Sequence, residues 1–154
     1  MENKIGFWGI TDTYGCFSNF YPCKFKCFND LEFNCTEQAF MYAKAITFND
    51  IEIANKILAE SDPKKIKALG RQVKNFNDDI WNDLRFMYMR LVNYSKFSQN
   101  IELLNKLVST GSAYLFEASP YDSIWGIGKF GDGQNLLGQV LMQIREDFIL
   151  MRKK

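Results

Sequence analysis

Thr36–Ile46, TEQAFMYAKAI, is the most informative stretch of this 154-residue chain. Thr36 is a good helix N-cap and Glu37 puts an acid in the first turn, where the helix dipole favours negative charge, so a helix is expected to begin here. At about 100° per residue, Glu37, Phe40 or Met41, and Lys44 fall on one stripe, while Ala39, Ala43 and Ala45 let a neighbouring backbone come close. An acid and an amine therefore share a face. Two helical turns rise roughly 10 Å, too far for a direct pair between short side chains, yet both groups can converge on a molecule lying along the helix. A solvated Glu and Lys flanking a core stripe would produce the same pattern.

Upstream, CKFKCFNDLEFNC has two alternating runs meeting at Asn29-Asp30, which predicts a β-hairpin delivering the chain to Thr36. Before it, CFSNFYPCKF sets Ser18 and Asn19 among aromatics such as Phe20, ahead of Pro22. Short polar groups there suit a ligand's hydroxyls, although capping and turn hydrogen bonds are their commoner use. IGFWGI, Ile5 to Ile10, reads as a short apolar strand, and Thr11 to Gly15 as a turn.

Downstream, Asn49-Asp50 starts an amphipathic helix with Ile51, Ala54, Ile57 and Leu58 on one side, ended by Ser61-Asp62-Pro63. PKKIKALG, from Pro63 to Gly70, is a short third helix with Arg71 just beyond; an arginine fixed there can hold a phosphate bidentately or lie on the surface. Asp78 and Asp79 cap the longest helix, to about Phe97, whose Trp81, Leu84, Tyr88, Leu91 and Val92 recur at helical spacing. Gln99 to Val108 makes another helix, closed by Gly111, and AYLFEAS around Leu115 can be a strand.

The C-terminal stretch YDSIWGIGKFGDGQNLLGQVLMQIRED carries a literal G-x-G-x-x-G at Gly126, Gly128 and Gly131. A dinucleotide-binding unit needs a strand after its helix and an acid about twenty residues on, and here the chain closes with the helix, so that reading fails. What remains is a glycine-dense loop, Gly126 to Gly133, leading into a helix with Leu136, Leu137, Val140, Leu141, Ile144 and Phe148. Such a loop can bring backbone N–H groups to an anion at a helix N-terminus, or serve as a plain flexible connection. Asp122 and Trp125 precede it, a carboxylate and an aromatic plate suited to a sugar and a base.

Composition narrows the chemistry. Hydrophobic residues make up 47% and aromatics 16%, which argues for a folded core and against disorder. A net charge of +1 excludes a bulk electrostatic grip on nucleic acid or anionic lipid, so any nucleic-acid contact is local. With no basic leader before an apolar segment and no apolar run of about 18 residues, a soluble cytoplasmic protein without membrane partners is expected. Cys16, Cys23, Cys27 and Cys35 are spaced C-x6-C-x3-C-x7-C, unlike zinc knuckles, and the chain has no His, so no metal is expected and the thiols should be reduced. Without His, Ser-His-Asp and Cys-His catalysis are excluded, and carboxylate chemistry leads. One α+β domain over residues 1–154 is expected, dominated by helices, with a small antiparallel sheet from the N-terminal strand, the hairpin and the Leu115 segment.

The chain resembles the NADAR, or YbiA-like, family of N-glycosidases. The matching segments are YGCFSNFYP, TEQAFMYAKA, Leu69-Gly70-Arg71, the Trp81 helix with Arg90 and Lys96-Phe97, and DSIWGIGKFGDGQNLLGQVLMQIRE, in the family's order over nearly the full length. The position after Trp-Gly, an acid in some members, is Ile127 here, so that acid's role is not carried over. The resemblance implies hydrolysis of the bond between ribose C1′ and an amine nitrogen without a cofactor. It implies as substrate either an ADP-ribosylated guanine base of nucleic acid or a phosphoribosyl riboflavin-pathway intermediate. Positive charge builds on the ribose as nitrogen departs, so a carboxylate is needed to move a proton and to stabilise the oxocarbenium-like centre. Glu37 fits that role. The alternative to Glu37 acting alone is a transient imine of Lys44 with the ring-opened sugar, a route the resemblance implies and one that needs a desolvated, partly neutral amine. Asp122 would hold a ribose hydroxyl or orient Lys44, Trp125 would stack on the base, and Arg71 with Gly126 and Gly128 would hold phosphate. Ser18, Asn19, Phe20 and Asn135 complete the expected substrate contacts. A non-catalytic ADP-ribose or nucleotide-binding module, and a partner-binding protein with an aromatic-rich surface, are the competing classes.

Overall fold

Short polar side chains set the helix starts. Asp50 accepts from the Ile53 N–H at 3.1 Å, Asp62 from the Lys64 N–H at 2.9 Å just ahead of Pro63, and Asn77 from the Ile80 N–H at 3.0 Å. Each satisfies a donor that a first helical turn leaves without an intrahelical partner. The third is a correction, because Asp78 and Asp79 lie inside the first turn that Asn77 caps.

The structure is a computed structural model and describes residues 3–153. In chain order its elements are β1 (Lys4–Phe7), a single 3-10 turn (Gly15–Phe17), β2 (Phe25–Cys27), β3 (Leu31–Phe33), α1 (Thr36–Thr47), α2 (Ile51–Ala59), α3 (Pro63–Gly70), α4 (Asp78–Gln99), α5 (Ile101–Ser109), β4 (Tyr114–Glu117) and α6 (Leu136–Arg152). This is the helix-dominated α+β class expected. The chain divides into two compact units, one built from its two ends, up to Tyr21 and from Asn100 onward, the other from Pro22–Gln99. No helix among the described residues is long and apolar enough to cross a membrane.

The strands do not join one antiparallel sheet. β2 and β3 form the expected hairpin, Phe25 opposite Phe33, through a turn in which Phe28, Asn29 and Asp30 all have positive φ. β1 instead pairs in parallel with β4, Ile5 opposite Leu115, as a separate two-stranded sheet. A parallel partner has to arrive by a long crossover, and nothing in either short strand's own residues announces it.

In the Pro22–Gln99 unit, α1 packs against α2, α3, α4 and β3. Phe25, Cys27, Phe33, Ala39 and Val92 form one buried cluster. Gly70 lets the end of α3 touch α1, since a Cβ there would overlap the Met41 sulfur. Thr36 is the first residue of α1 rather than its cap; Cys35 precedes it with φ −165°, and the Thr36 hydroxyl is buried. The tie comes from buried Gln38. Its Oε1 accepts from the Asn34 N–H at 2.8 Å, and its Nε2 donates to the carbonyls of Ile57 at 3.1 Å and Glu60 at 3.0 Å, where α2 ends. On α4 the buried residues include Trp81, Met89, Val92, Lys96 and Phe97, while Leu91 faces solvent. A helix that serves both α1 and β2 is not confined to a single stripe. Ile51 is likewise exposed, Ile53 taking its expected place on the buried side of α2.

In the other unit, Leu137, Val140, Leu141, Ile144 and Phe148 of α6 are buried as their spacing predicts. Gly138 permits the approach of α6 to β4, because a Cβ there would overlap the Leu115 carbonyl oxygen. Buried Arg145 donates to Ala113 O at 2.8 Å and Thr110 Oγ1 at 3.0 Å, fixing the turn between α5 and β4.

Candidate active site

The first turn of α1 buries Glu37, 7% exposed, at the positive end of the helix dipole. Phe40 and Met41 are buried behind it, and Lys44 is half-buried two turns on. Burial is the largest influence on the Lys44 amine and lowers its pKa below the ordinary lysine value. The Glu37 carboxylate opposes that shift, the Arg71 guanidinium adds to it, and Asp78 opposes it again. The face of Phe76 lies 4.6 Å from Lys44 Nζ, an attraction that favours the charged form. Phe40, Phe48 and Phe76 continue as an aromatic chain to Trp81 and Tyr88, the last two stacked at 6.0 Å.

Arg71 is exposed immediately after α3, its N–H bonded to the carbonyls of Lys67 and Ala68. The contact of Gly70 with Met41 brings that helix end to α1, which is how Arg71 acts on Lys44. Three of the expected residues, Glu37, Lys44 and Arg71, are therefore electrostatically joined in one unit. Asp78 and Phe76 belong to the same group and were missed. Asp78 was legible only as a first-turn acid, and Phe76 carried no signal. Lys96 on α4 is fully buried and acts electrostatically on Cys35, two residues before Glu37.

The remaining expected residues lie in the other unit. Ser18 Oγ accepts from the Phe20 N–H at 3.1 Å, closing a local turn, with Phe20 half-buried beside it. Asn19 is buried, and its Oδ1 has no hydrogen-bond partner among the described residues. Asp122 Oδ1 accepts from the N–H groups of Ile124 at 2.9 Å and Trp125 at 2.8 Å, so this oxygen shapes the turn entering the glycine loop. Trp125 is half-buried. Asn135, 2% exposed in a left-handed conformation, accepts from Glu117 N–H at 3.0 Å and donates to Leu115 O at 2.9 Å and to the Tyr114 hydroxyl at 3.1 Å. These bonds anchor the start of α6 to β4.

The loop's amides are largely engaged within the protein. Ile127 donates to Glu117 O, Gly128 to Ser119 O, Gly133 to Ile127 O, Gln134 to Ser123 O, and Leu136 and Leu137 to the carbonyls of Ile124 and Trp125. The N–H of Gly128 and the first amides of α6 are thus not presented to an anion, which corrects the expected phosphate cradle. Gly126 is needed for room, because a Cβ there would sit 2.9 Å from both the Glu117 and Asp122 carbonyl oxygens. The loop is a hydrogen-bonded knot rather than a flexible connection.

Chemically, the α1 group offers a carboxylate largely withdrawn from water, where its field on a developing cation is least screened, and an amine with a raised free-base fraction. That pair suits cleavage at an electrophilic sugar carbon.

The NADAR domain family model matches residues 6–149. N-glycosidase R617 of Acanthamoeba polyphaga mimivirus is 41% identical over 146 residues, covering 85% of this chain and 86% of that protein. Riboflavin biosynthesis protein VVA0006 of Vibrio vulnificus is 33% identical over 147 residues, 96% of this chain but 39% of the relative. The NMR structure of the E. coli protein YbiA matches with a TM-score of 0.88 at 30% identity, covering 100% of this chain and 90% of that one. N-glycosidase activity is a named property of relatives of this chain. The family match takes in the end of the strand that opens the fold, the α1 charge group and the glycine loop, and the chain belongs to the NADAR domain family.

Proposed function

We propose that this chain is a hydrolase that cleaves the N-glycosidic bond between a ribose C1′ and an amine nitrogen, releasing ADP-ribose from ADP-ribosylated guanine in nucleic acid. The observation that carries the reading is the α1 pair: buried Glu37 and half-buried Lys44, with the amine's pKa lowered chiefly by burial. Glu37 stabilises positive charge at C1′ as the C1′–N bond breaks, the nitrogen takes a proton, and the oxygen of water bonds to C1′. On the alternative route, through the ring-opened form of the sugar, Lys44 Nζ adds to C1′, the base leaves with a proton, and water hydrolyses the resulting imine. Arg71, exposed and electrostatically coupled to Lys44, holds phosphate. Asn19 Oδ1 and Ser18 serve ribose hydroxyls, and Phe20 and Trp125 contact the base. Asp122, Gly126, Gly128 and Asn135 contribute chiefly by shaping the loop that presents Trp125.

Residues 1–154 act as one NADAR domain in this proposal, and cysteines outside any disulfide suit the reducing cytoplasm. Net charge near neutrality is compatible with nucleic acid, because a flipped or single-stranded nucleotide needs only a local groove. The relative named for riboflavin biosynthesis favours a second reading, in which a phosphoribosylated pyrimidine intermediate is cleaved. Incubation with an ADP-ribosylated guanine oligonucleotide and, separately, with the pyrimidine riboflavin intermediates decides between them. Release of ADP-ribose from the first alone is expected. Release of ribose phosphate from the second alone selects the other substrate. Binding of ADP-ribose with no product from either identifies a binding module, and no binding of any nucleotide a partner-binding protein. Reduction with cyanoborohydride during turnover should leave a sugar adduct on Lys44 if the imine route operates.

A further inference from the structure

Three groups outside α1 act on Lys44, and all of them sit on the stretch from Arg71 to Asp78 that links α3 to α4. Arg71 and Asp78 act on the amine electrostatically, and the face of Phe76 lies 4.6 Å from Nζ. A connecting segment without a ladder of its own is placed by what its backbone amides meet. Here the Lys74 N–H, in the middle of the stretch, donates to Oδ2 of Asp50 at 2.9 Å, 24 positions away in the chain. Asp50 is buried at the corner between α1 and α2. Its other oxygen, Oδ1, accepts from the Ile53 N–H at 3.1 Å, and its own N–H donates to Ala45 O at 2.9 Å, beside Lys44. One residue thus joins the end of α1, the start of α2 and the segment around Lys44. Phe48 closes the same corner, its ring T-shaped to that of Phe76 at 5.2 Å. A helix start needs one cap oxygen, which Asn or Ser supplies as well as Asp. The second oxygen is what the carboxylate adds, and it goes to Lys74. The Lys74 and Ile53 amides, in that order, hold the Asp50 carboxyl below the ordinary aspartate value against the opposing effect of burial, so it accepts from both at neutral pH.

We propose that Asp50 is a positioning residue for Lys44: by holding the Lys74 N–H it keeps Phe76 over the amine and Arg71 beside it. The proposal deepens the N-glycosidase reading, on which only its effect on turnover rests. Freed at Lys74, the segment uncovers one side of Nζ and carries the Arg71 guanidinium away. Burial and Arg71 both lower the Lys44 pKa, so losing them moves it back up toward the ordinary lysine value. Loss of the Phe76 ring works the other way but weakly, because that ring is 41% exposed and water screens the attraction. Glu37 on α1 and Asp78 in the first turn of α4 face the amine and stay in place. Glu52 and Lys56 of α2 are exposed and pair with each other at 3.5 Å; Lys64, Lys65 and Lys67 of α3, Asp79 and Asp83 of α4, and Glu32 of β3 are exposed too. At a fixed pH below the amine's pKa, each unit of rise lowers the free-base fraction about tenfold.

The test compares wild type with Asp50→Asn and Lys74→Pro. The first retains one oxygen for the α2 cap and sets an NH2 group where Oδ2 stood; the second removes the same bond from the donor side. Amide exchange read by NMR should speed about tenfold or more across Gln72–Asn75 in both variants, with Ile53 still protected. Competitive labelling of amines with acetic anhydride from pH 7 to 11, read by mass spectrometry, should show the Lys44 pKa raised in both, while labelling of exposed Lys56 is unmoved. On an ADP-ribosylated guanine oligonucleotide both variants should turn over about tenfold more slowly at pH 7, the deficit shrinking as pH rises, and Phe76→Ala should add little to either. A merely weakened fold produces no deficit that titrates. Unchanged exchange in the segment overturns the tether. Faster exchange with unshifted Lys44 labelling, or a turnover deficit flat with pH, overturns the hold on the amine. Should Asp50→Asn fail to fold, Lys74→Pro gives all three readings by itself. A protein inactive on every substrate, yet passing the exchange and labelling arms, counts against the N-glycosidase reading alone.

Discussion

α1 and the glycine loop hold the same kinds of polar residue and use them in opposite ways. On α1, Gln38 ties Asn34 to the end of α2, while the later Lys44 amine is governed by burial and by the charges of Glu37, Arg71 and Asp78. In the loop, the side chains of Asp122 and Asn135 are hydrogen-bonded to backbone, and the amides of Ile127, Gly128, Gly131 and Gly133 to Leu137 meet carbonyls of the same unit. A motif's polar residues thus divide into those whose hydrogen bonds build the fold and those, such as Lys44, whose state is set by burial and neighbouring charge. Residue type does not make that division; the destination of the hydrogen bonds does.

The largest effect expected is on α1. Glu37→Gln and Lys44→Ala should each lower turnover at least a hundredfold, a barrier increase of about 2.7 kcal/mol, with the thermal midpoint little changed. Near-normal turnover in either removes that residue from the chemistry. The loop should respond the other way. Asn135→Ala leaves the Glu117 N–H and Leu115 carbonyl without their buried partner, and a stability loss of about 2–4 kcal/mol is expected in urea unfolding. A variant as stable as wild type but as inactive as Glu37→Gln would put Asn135 in the chemistry instead.

Asp122 tests the boundary between the two uses. Asp122→Asn keeps an oxygen for the Ile124 and Trp125 amides, whereas Asp122→Ala does not, so the alanine variant should lose about 1–2 kcal/mol of stability and the asparagine variant little. Turnover should follow the same order if the carboxylate only shapes the turn before Trp125. A collapse of turnover in Asp122→Asn alone would show that the charge itself takes part in catalysis.

Legibility in the sequence followed the range of the interaction. Asp50 was readable as a helix start because a cap acts within three residues, whereas Asp62 read only as the end of the preceding helix, and the neighbouring Asn77 and Asp78 competed for one role and the wrong one was favoured. The hairpin was readable from Asn29-Asp30, whose positive φ suits those residues. The pairing of β1 with β4 was not, since it depends on a strand more than a hundred residues away. The acid and amine stripe of α1 followed from helical periodicity, but the influence of Asp78 and Arg71 on Lys44 depends on how separate helices pack. The glycines of the loop announced tight backbone; whether their amides stay open to a ligand is set by Glu117, Ser119 and Ile127, which no spacing rule relates to them.

The smallest effect, and the most specific to α1, is the pH dependence that Lys44 gives to stability. Its pKa in the fold lies below that of the unfolded chain, so between the two values the unfolded chain binds more protons and stability rises with pH. Below the folded value, burying the charged amine imposes its full penalty; above the unfolded value the penalty is gone. Other lysines and tyrosines titrate in the same alkaline range, so the readout is the difference between wild type and Lys44→Met in urea midpoints measured from pH 7 to 11. Wild type should gain on the variant as pH rises, because Met carries no charge to bury. A difference that is flat with pH would mean that the Lys44 amine is as well solvated in the fold as in the unfolded chain, and would remove the reason to expect a reactive free base on α1.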